Sequence, residues 1–155
     1  MQRKNNKKIK KIIDGSDLRI RIVAAEFNWD IVGNMLKRAL KTLKENGVKD
    51  ENVKIIKVPG SFEIPLACQK LAQEEKFDAL VVLGCVIKGE TGHYYYVAGE
   101  SSRGVMEVML KFSLPIGFGI ITTENLEQAV ERSSGESNKG KEAAEAALKM
   151  LNMKY

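Results

Sequence analysis

The sequence is poor in the residues that build disulfide frameworks, metal centres and membrane spans. It has two cysteines and one histidine among 155 residues. Both cysteines, Cys68 and Cys85, lie inside apolar stretches, where we expect buried thiols in a reducing cytoplasm and neither a disulfide nor a metal ligand. A single histidine also argues against a histidine-built metal site. No apolar run approaches the roughly 20 residues of a membrane-spanning helix, and the charged N-terminus lacks the apolar segment of a secretory signal.

The excess of positive charge is confined to the N-terminus. Residues 1–13 hold six of the 25 basic residues and none of the 20 acidic ones, so the remainder carries 19 basic and 20 acidic residues. Such a tail can bind nucleic acid or an acidic partner, but no aromatic side chain separates the lysines, as a base-stacking surface would require. We therefore expect a solvated basic arm over 1–17 and no specific nucleic-acid partner. Ile9, Ile12 and Ile13 support a third interpretation, in which the arm pairs with a neighbouring subunit.

From residue 18 to residue 155 the chain alternates β-rich and helical segments, with no repeat and no linker. We predict one domain there, with strands over 18–25, 53–58, 79–87 and 115–122. Apolar residues at helical spacing predict helices over 30–47, 61–75, from the end of a loop at 88–93 to about 112, over 123–134 and through 143–151. Ser61 is a candidate N-cap. Strict alternation predicts an α/β three-layer sandwich, a parallel four-stranded sheet flanked by helices.

The candidate binding residues follow the strands, because ligands of open α/β sheets bind at the carboxyl ends of the strands. Each stretch there is richer in polar, glycine or aromatic residues than its strand: 26–29, 59–63, 89–93 and 122–125. Phe27 and Phe62 could each close the top of the core. Two phenylalanines at the same end of one sheet favour instead a flat apolar slot for a ring system.

Charged and glycine residues in these stretches suggest an anion site. The loop Gly89–Gly92 is either a tight turn or an anion cradle at a helix N-terminus, and it lacks the ending of a P-loop. His93 is either structural or a general acid and base. Arg132 and Lys139 flank a Ser/Gly-rich break, where they are either solvated helix ends or a phosphate clamp. Cys85 is a poor nucleophile candidate in its apolar run.

Five motifs taken together carry a family resemblance. They are Phe27-Asn28 after the first strand, VPGSFEIPLA at 58–67, LGCVIKGETGHYYYV at 83–97, PIGFGIITTENLEQAVER at 115–132 and NKG at 138–140. In this order and spacing they resemble the lumazine synthase family over nearly all of 19–151. The resemblance implies a flavodoxin-like fold for 18–155 and a cytoplasmic enzyme without cofactor or metal. The implied reaction condenses 5-amino-6-(D-ribitylamino)uracil with 3,4-dihydroxy-2-butanone 4-phosphate to 6,7-dimethyl-8-ribityllumazine.

The resemblance also implies roles for individual residues. Phe27 would stack on the pyrimidinedione, and His93 would shuttle protons. The other implied contacts within the subunit are to the ribityl chain (Ser61, Phe62, Glu63), to the ring (Val86, Ile87) and to the phosphate end (Gly89, Glu90, Thr91). Phe118, Arg132 and Lys139 would come from the adjacent subunit, with Arg132 gripping the phosphate.

The resemblance further implies an assembly, a ring of five subunits that in many members closes into an icosahedral 60-mer. A third helix with small residues would line the five-fold axis: Ala98, Gly99, Ser101, Ser102 and Gly104. Riboflavin synthase is the implied cargo or pathway partner. The chain departs from the family between Arg132 and Lys139, where it is one residue shorter and carries Glu136 in place of a basic or neutral residue. The alternative function is a non-catalytic flavin-binding, phospho-ligand-binding or shell-forming protein of the same fold.

Overall fold

Four parallel strands form the central sheet of the computed structural model, which describes residues 11–74 and 76–155. The strands are β1 (Ile20–Ala25), β2 (Val53–Val58), β3 (Ala79–Ile87) and β4 (Ile116–Thr123), in the order β2-β1-β3-β4. All four predicted strands are confirmed. The two inner strands, β1 and β3, are buried along almost their whole length, which explains their nearly continuous apolar sequences.

Five α-helices cover the two faces of the sheet: α1 (Trp29–Glu45), α2 (Ile64–Glu74), α3 (His93–Phe112), α4 (Leu126–Arg132) and α5 (Lys139–Leu151). One apolar cluster joins the sheet to α1, α4 and α5, and a second joins it to α2 and α3. The three layers and the strand order are those of a flavodoxin-like fold, as predicted. Among the helices of the described residues, none has the length and apolar character needed to cross a membrane.

Three helix starts differ from the prediction, of which one is that of α5, which begins at Lys139 and not at residue 143. Ser61 does not cap α2, because residues Ser61–Glu63 form a separate 3-10 turn before the helix begins at Ile64. The fourth helix begins at Leu126 and not at residue 123, because β4 continues to Thr123 and Asn125 then caps the helix. The Asn125 side chain accepts a hydrogen bond from the Gln128 N–H at 2.9 Å, which satisfies one of the free donors of the first turn.

Helix α5 is held by close approach at two glycines. A Cβ atom on Gly117 in β4 would lie 1.9 Å from the Ala143 carbonyl oxygen, and one on Gly140 would lie 2.1 Å from the Met35 carbonyl oxygen. Any larger residue would push α5 away from the sheet or from α1. The start of α5 and the break before it are therefore tied to the position of α1.

The end of the basic arm packs on its own chain. Ile12 and Ile13 contact the cluster under α1 and α5. The Ile12 N–H donates to Asn46 Oδ1 at 2.7 Å, and the Ile12 carbonyl accepts from Asn152 Nδ2 at 3.0 Å. These contacts differ from the interpretation in which both isoleucines reach a neighbour. Ile9 lies outside the described residues, so the pairing of the arm itself stays a prediction.

Candidate active site

A cavity of about 450 Å³ opens at the carboxyl end of the sheet. It lies between the segments that follow β1, β2 and β3 and the first turns of α3. Nine of the predicted site residues line it together: Phe27, Ser61, Phe62, Glu63, Val86, Ile87, Gly89, Thr91 and His93. The structure thus brings three separate sequence motifs to one site.

The backbone after β1 is fixed where Phe27 leaves the sheet. The Phe27 N–H donates to the Pro59 carbonyl at 3.0 Å, which extends the β1–β2 ladder past the strand ends. Asn28 adopts a left-handed conformation with φ 58°, which asparagine tolerates better than most residues. Its side-chain amide donates to the Cys85 carbonyl at 3.0 Å. This bond ties the start of α1, next to Phe27, to β3.

Phe27 and Phe62 are not core residues. Phe27 is 70% exposed and Phe62 is 57% exposed, although both line the cavity. The interpretation that either ring closes the top of the core is therefore wrong. Exposed aromatic rings on a concave surface are suited to stacking on a planar ligand.

The turn at residues 60–63 supplies the polar side of the cavity. Ser61 is buried against β3, where a Cβ atom on Gly84 would come within 2.4 Å of the Ser61 hydroxyl oxygen. Gly84 is thus the residue that lets this turn settle on the sheet. Glu63 remains exposed at the cavity wall, so its carboxylate is available to accept hydrogen bonds from a ligand with hydroxyl groups.

The loop after β3 leads into the positive end of a long helix. Helix α3 has 20 residues and starts at His93, with Gly92 in the cap position. The His93 N–H donates to the Thr91 hydroxyl at 3.3 Å. The free N–H groups and the dipole of a helix N-terminus favour an anion. One end of the cavity therefore suits a phosphate, while its middle is apolar at Val86 and Ile87.

Four cavity residues were absent from the predicted set: Gly60, Cys85, Tyr94 and Val97. Tyr94 and Val97 are three residues apart on α3, a spacing that places both on the face that carries the cavity. That periodicity was the available signal for them. Burial raises the pKa of the Cys85 thiol to about 11 and that of Cys68 to about 12. Both thiols stay protonated at neutral pH, which confirms that Cys85 is a poor nucleophile.

Four predicted residues do not line this cavity. Glu90 lies on the exposed part of the loop. Phe118 is 46% exposed on β4, the edge strand. Arg132 ends α4, where it donates to the Gln128 carbonyl at 3.3 Å, and Lys139 begins α5, where it pairs with Glu142 at 2.9 Å. Phe118 is therefore exposed, whereas Arg132 and Lys139 are half-buried and already bonded within their own chain.

A salt bridge joins the two loops at the carboxyl ends of β3 and β4. Lys88 Nζ lies 3.5 Å from Glu124 Oε2 and 5.7 Å from the centre of the Tyr95 ring. Hydrogen bonding to Tyr95 and the charge of Glu124 raise the pKa of Lys88. The Lys88 N–H also donates to the Thr123 carbonyl at 2.8 Å. These contacts hold the base of the Gly89–Gly92 loop against the edge strand.

Comparison with known proteins gives one consistent result. The family model described as 6,7-dimethyl-8-ribityllumazine synthase matches residues 17–155. The 6,7-dimethyl-8-ribityllumazine synthase of Desulfovibrio desulfuricans is 44% identical over 142 residues, which cover 91% of this chain and 91% of that protein. The match extends over all four strands and five helices that form the cavity and its surroundings. The chain therefore belongs to the 6,7-dimethyl-8-ribityllumazine synthase family.

Proposed function

We propose that the chain condenses 5-amino-6-(D-ribitylamino)uracil with 3,4-dihydroxy-2-butanone 4-phosphate to 6,7-dimethyl-8-ribityllumazine, phosphate and water. This is the penultimate step of riboflavin biosynthesis. The observation that carries the proposal is that nine residues implied by the family motifs line one and the same cavity. Membership of the family supports it. The comparisons lend no support to the alternative of a non-catalytic binding or shell-forming protein.

The cavity offers a separate surface to each part of the first substrate. Phe27 stacks on the pyrimidinedione, because its ring is exposed and its backbone is fixed by the bond to Pro59. Val86 and Ile87 contact the edge of the ring. Ser61, Phe62 and Glu63 hold the ribityl chain, and the Glu63 carboxylate accepts hydrogen bonds from its hydroxyl groups.

The second substrate places its phosphate at the start of α3. Gly89 and Thr91 line that end of the cavity, and the helix dipole favours the charge. Because the Glu90 side chain does not line the cavity, we propose that Glu90 contributes only its backbone. Arg132 adds a charge-assisted contact to the phosphate, and Lys139 supports it.

Orientation supplies much of the rate acceleration, because the amine is already nucleophilic and the ketone already electrophilic. Holding both substrates in one cavity can lower the barrier by several kcal/mol. His93 accepts the proton that the amine loses during imine formation and returns protons during the loss of water and phosphate. General acid–base help of this kind contributes about 10²–10⁴-fold. The scheme needs no cofactor.

The site is completed by a neighbouring subunit in a homopentamer. Phe118, Arg132 and Lys139 do not line the cavity of their own chain, and all three keep some exposure, as expected of residues donated to a neighbour. An exposed aromatic on an edge strand also favours a protein interface. Closure of the pentamers into an icosahedral 60-mer is favoured by the absence of an insertion between residues 132 and 139.

Four of the five small residues of α3 fall into two groups, and the fifth, Ala98, is half-buried. A Cβ atom on Gly104 would lie 2.7 Å from the Pro65 ring, and Ser101 is fully buried, so both serve the packing of α3 within the chain. Gly99 and Ser102 are exposed and are the residues that would face the five-fold axis. This narrows the stripe that the sequence suggested.

Two further expectations belong to this proposal. Riboflavin synthase is the partner that consumes the product, either as cargo of the capsid or as the next enzyme. The reaction takes place in the cytoplasm, which agrees with two free, buried cysteines.

The decisive test is the formation of lumazine absorbance when the purified protein is mixed with both substrates. We expect a rate well above the spontaneous reaction, with the Arg132→Ala variant mainly impaired in its use of the phosphorylated ketone. If the folded protein forms lumazine no faster than the control without enzyme, the assignment is refuted. Visible colour or flavin fluorescence of such an inactive protein would favour the binding-module alternative. Native mass spectrometry and electron microscopy test the pentamer and the 60-mer.

A further inference from the structure

A second cavity, of about 510 Å³, lies between α1 and the segment that joins α4 to α5. It shares no lining residue with the active-site cavity. The segment 133–138 that forms one wall connects Arg132 to Lys139, and it is the stretch that departs from the family in length and in carrying Glu136. We call this the break cavity.

The break cavity has a surplus of positive charge. Its lining includes three cationic side chains, Lys37, Arg38 and Lys41, against one carboxylate, that of Glu136. The carboxylate is already engaged, because Lys141 Nζ lies 2.9 Å from Glu136 Oε2. The hydrogen bond from Lys141 lowers the pKa of Glu136, and the charges of Arg38 and Lys41 lower it further. A second carboxylate, that of Glu45, lies 3.9 Å from both Arg38 Nη1 and Lys41 Nζ. Glu136 and Glu45 therefore compensate the α1 cations only in part.

The guanidinium of Arg38 has unused hydrogen-bonding capacity. The side chain is only 16% exposed. Its Nη1 atom is buried and makes no hydrogen bond within the described residues. The carboxylate of Glu45 lies 3.9 Å from Nη1, beyond hydrogen-bond distance. A buried donor without an acceptor is costly, and an anion that draws the guanidinium into hydrogen bonds would remove that cost.

The wall opposite α1 is built to a fixed shape. The side chain of Asn138 is buried, and its Nδ2 donates to the Ser133 carbonyl at 2.8 Å and to the Asn34 carbonyl at 3.3 Å. Its Oδ1 accepts from the Gly140 N–H at 2.8 Å. One asparagine therefore joins the two ends of the break and fastens them to α1 through the Asn34 carbonyl. Buried hydrogen bonds thus fix this wall of the cavity.

We propose that the break cavity is a second anion site, which binds a small phosphate-type oxyanion independently of the active site. A tetrahedral oxyanion suits the excess of positive over negative side chains in the lining, and arginine and lysine side chains are the usual partners of phosphate oxygens. Glu136 competes for the same cations, so its carboxylate sets the affinity. The inference does not depend on the reaction proposed above.

The test is titration of the full-length protein with inorganic phosphate, followed by calorimetry and by phosphorus NMR line broadening. All titrations use an Arg132→Ala background, which removes the proposed phosphate clamp of the active site. The double variant Lys37→Ala/Lys41→Ala removes two exposed cations of the cavity. Arg38→Gln is a second variant, which removes the positive charge of the half-buried guanidinium. Lys44→Ala is the matched control, an exposed lysine of α1 that does not line the cavity.

We expect phosphate to bind in the Arg132→Ala background and to bind about tenfold more weakly after either loss variant. Glu136→Gln should bind more tightly, and Lys44→Ala should bind as before. Three results would overturn the proposal: no binding in the background protein, an equal loss with Lys44→Ala, or binding that appears only after the assembly is dissociated. The last would mean that a second copy of the chain covers the cavity.

Discussion

Sharing of active sites between subunits predicts that two inactive variants restore each other. His93 and Phe27 line the cavity of one chain, whereas Arg132 does not. We propose to denature and reassemble equal amounts of His93→Ala and Arg132→Ala protein together. A site is then intact only where an Arg132→Ala subunit supplies the cavity and a His93→Ala subunit supplies the arginine.

The expected recovery follows from random mixing. Each of the two conditions holds for half of the subunits, so about a quarter of the sites carry both residues whatever the number of subunits in the ring. Lumazine formation should therefore rise above the mean of the two parents by about a quarter of the wild-type rate. The assay is absorbance of the product, with native mass spectrometry to show that the rings are mixed.

A control pair separates sharing from a general effect of reassembly. His93→Ala and Phe27→Ala both damage the cavity of their own subunit, so their mixture contains no intact site and should stay at the mean of its parents. If mixed rings of His93→Ala and Arg132→Ala also stay at that mean, Arg132 does not act on a neighbour's cavity. A recovery in the control pair would equally contradict the assignment of both residues to one subunit.

Three further predictions concern packing and thiol chemistry. Gly140→Ala should lower the free energy of unfolding in a urea titration by about 1–3 kcal/mol, since its Cβ would meet the α1 backbone; an unchanged urea transition would refute the close approach. Asn46→Ala should lower the free energy of unfolding by about 1–3 kcal/mol, because the Ile12 N–H loses its acceptor. An unchanged denaturant midpoint would show that this hydrogen bond contributes nothing to stability. Reaction of Cys85 with a thiol reagent should be slow in the folded protein, since only the thiolate reacts. The rate should rise about tenfold per pH unit up to the pKa of Cys85, which is about 11. A rate that levels off near pH 8 would contradict the burial of the thiol.

Local patterns predicted the elements well where one type of burial runs through a whole segment. The apolar run at 79–87 corresponds to β3 without error, because a strand buried on both faces needs apolar residues at every position. Errors arose where two elements compete for the same residues. Thr123 extends β4 at the expense of α4, and Ser61 enters a 3-10 turn where a cap was expected.

The candidate site, like the fold, could be predicted from the sequence only in part. Motif residues such as Phe27 and His93 could be named from the sequence, because the carboxyl ends of parallel strands meet at one edge. Their exposure could not, since the choice between a core plug and a ligand surface depends on what packs over each ring. The spacing of Tyr94 and Val97 puts both on one face of α3, but only the placement of α3 in the fold turns that face towards the cavity.

The sequence by itself determined the α/β alternation, the strands, the motif set and the confinement of positive charge to the arm. These are properties of neighbouring residues along the chain. The tertiary structure alone decided which of those residues meet. Gly117 and Gly140 bring α5 against β4 and α1, and Asn138 then fastens the break to α1. That packing separates Arg132 and Lys139 from their own chain's cavity and creates the basic break cavity, because contacts between distant segments are set by shape and buried hydrogen bonds.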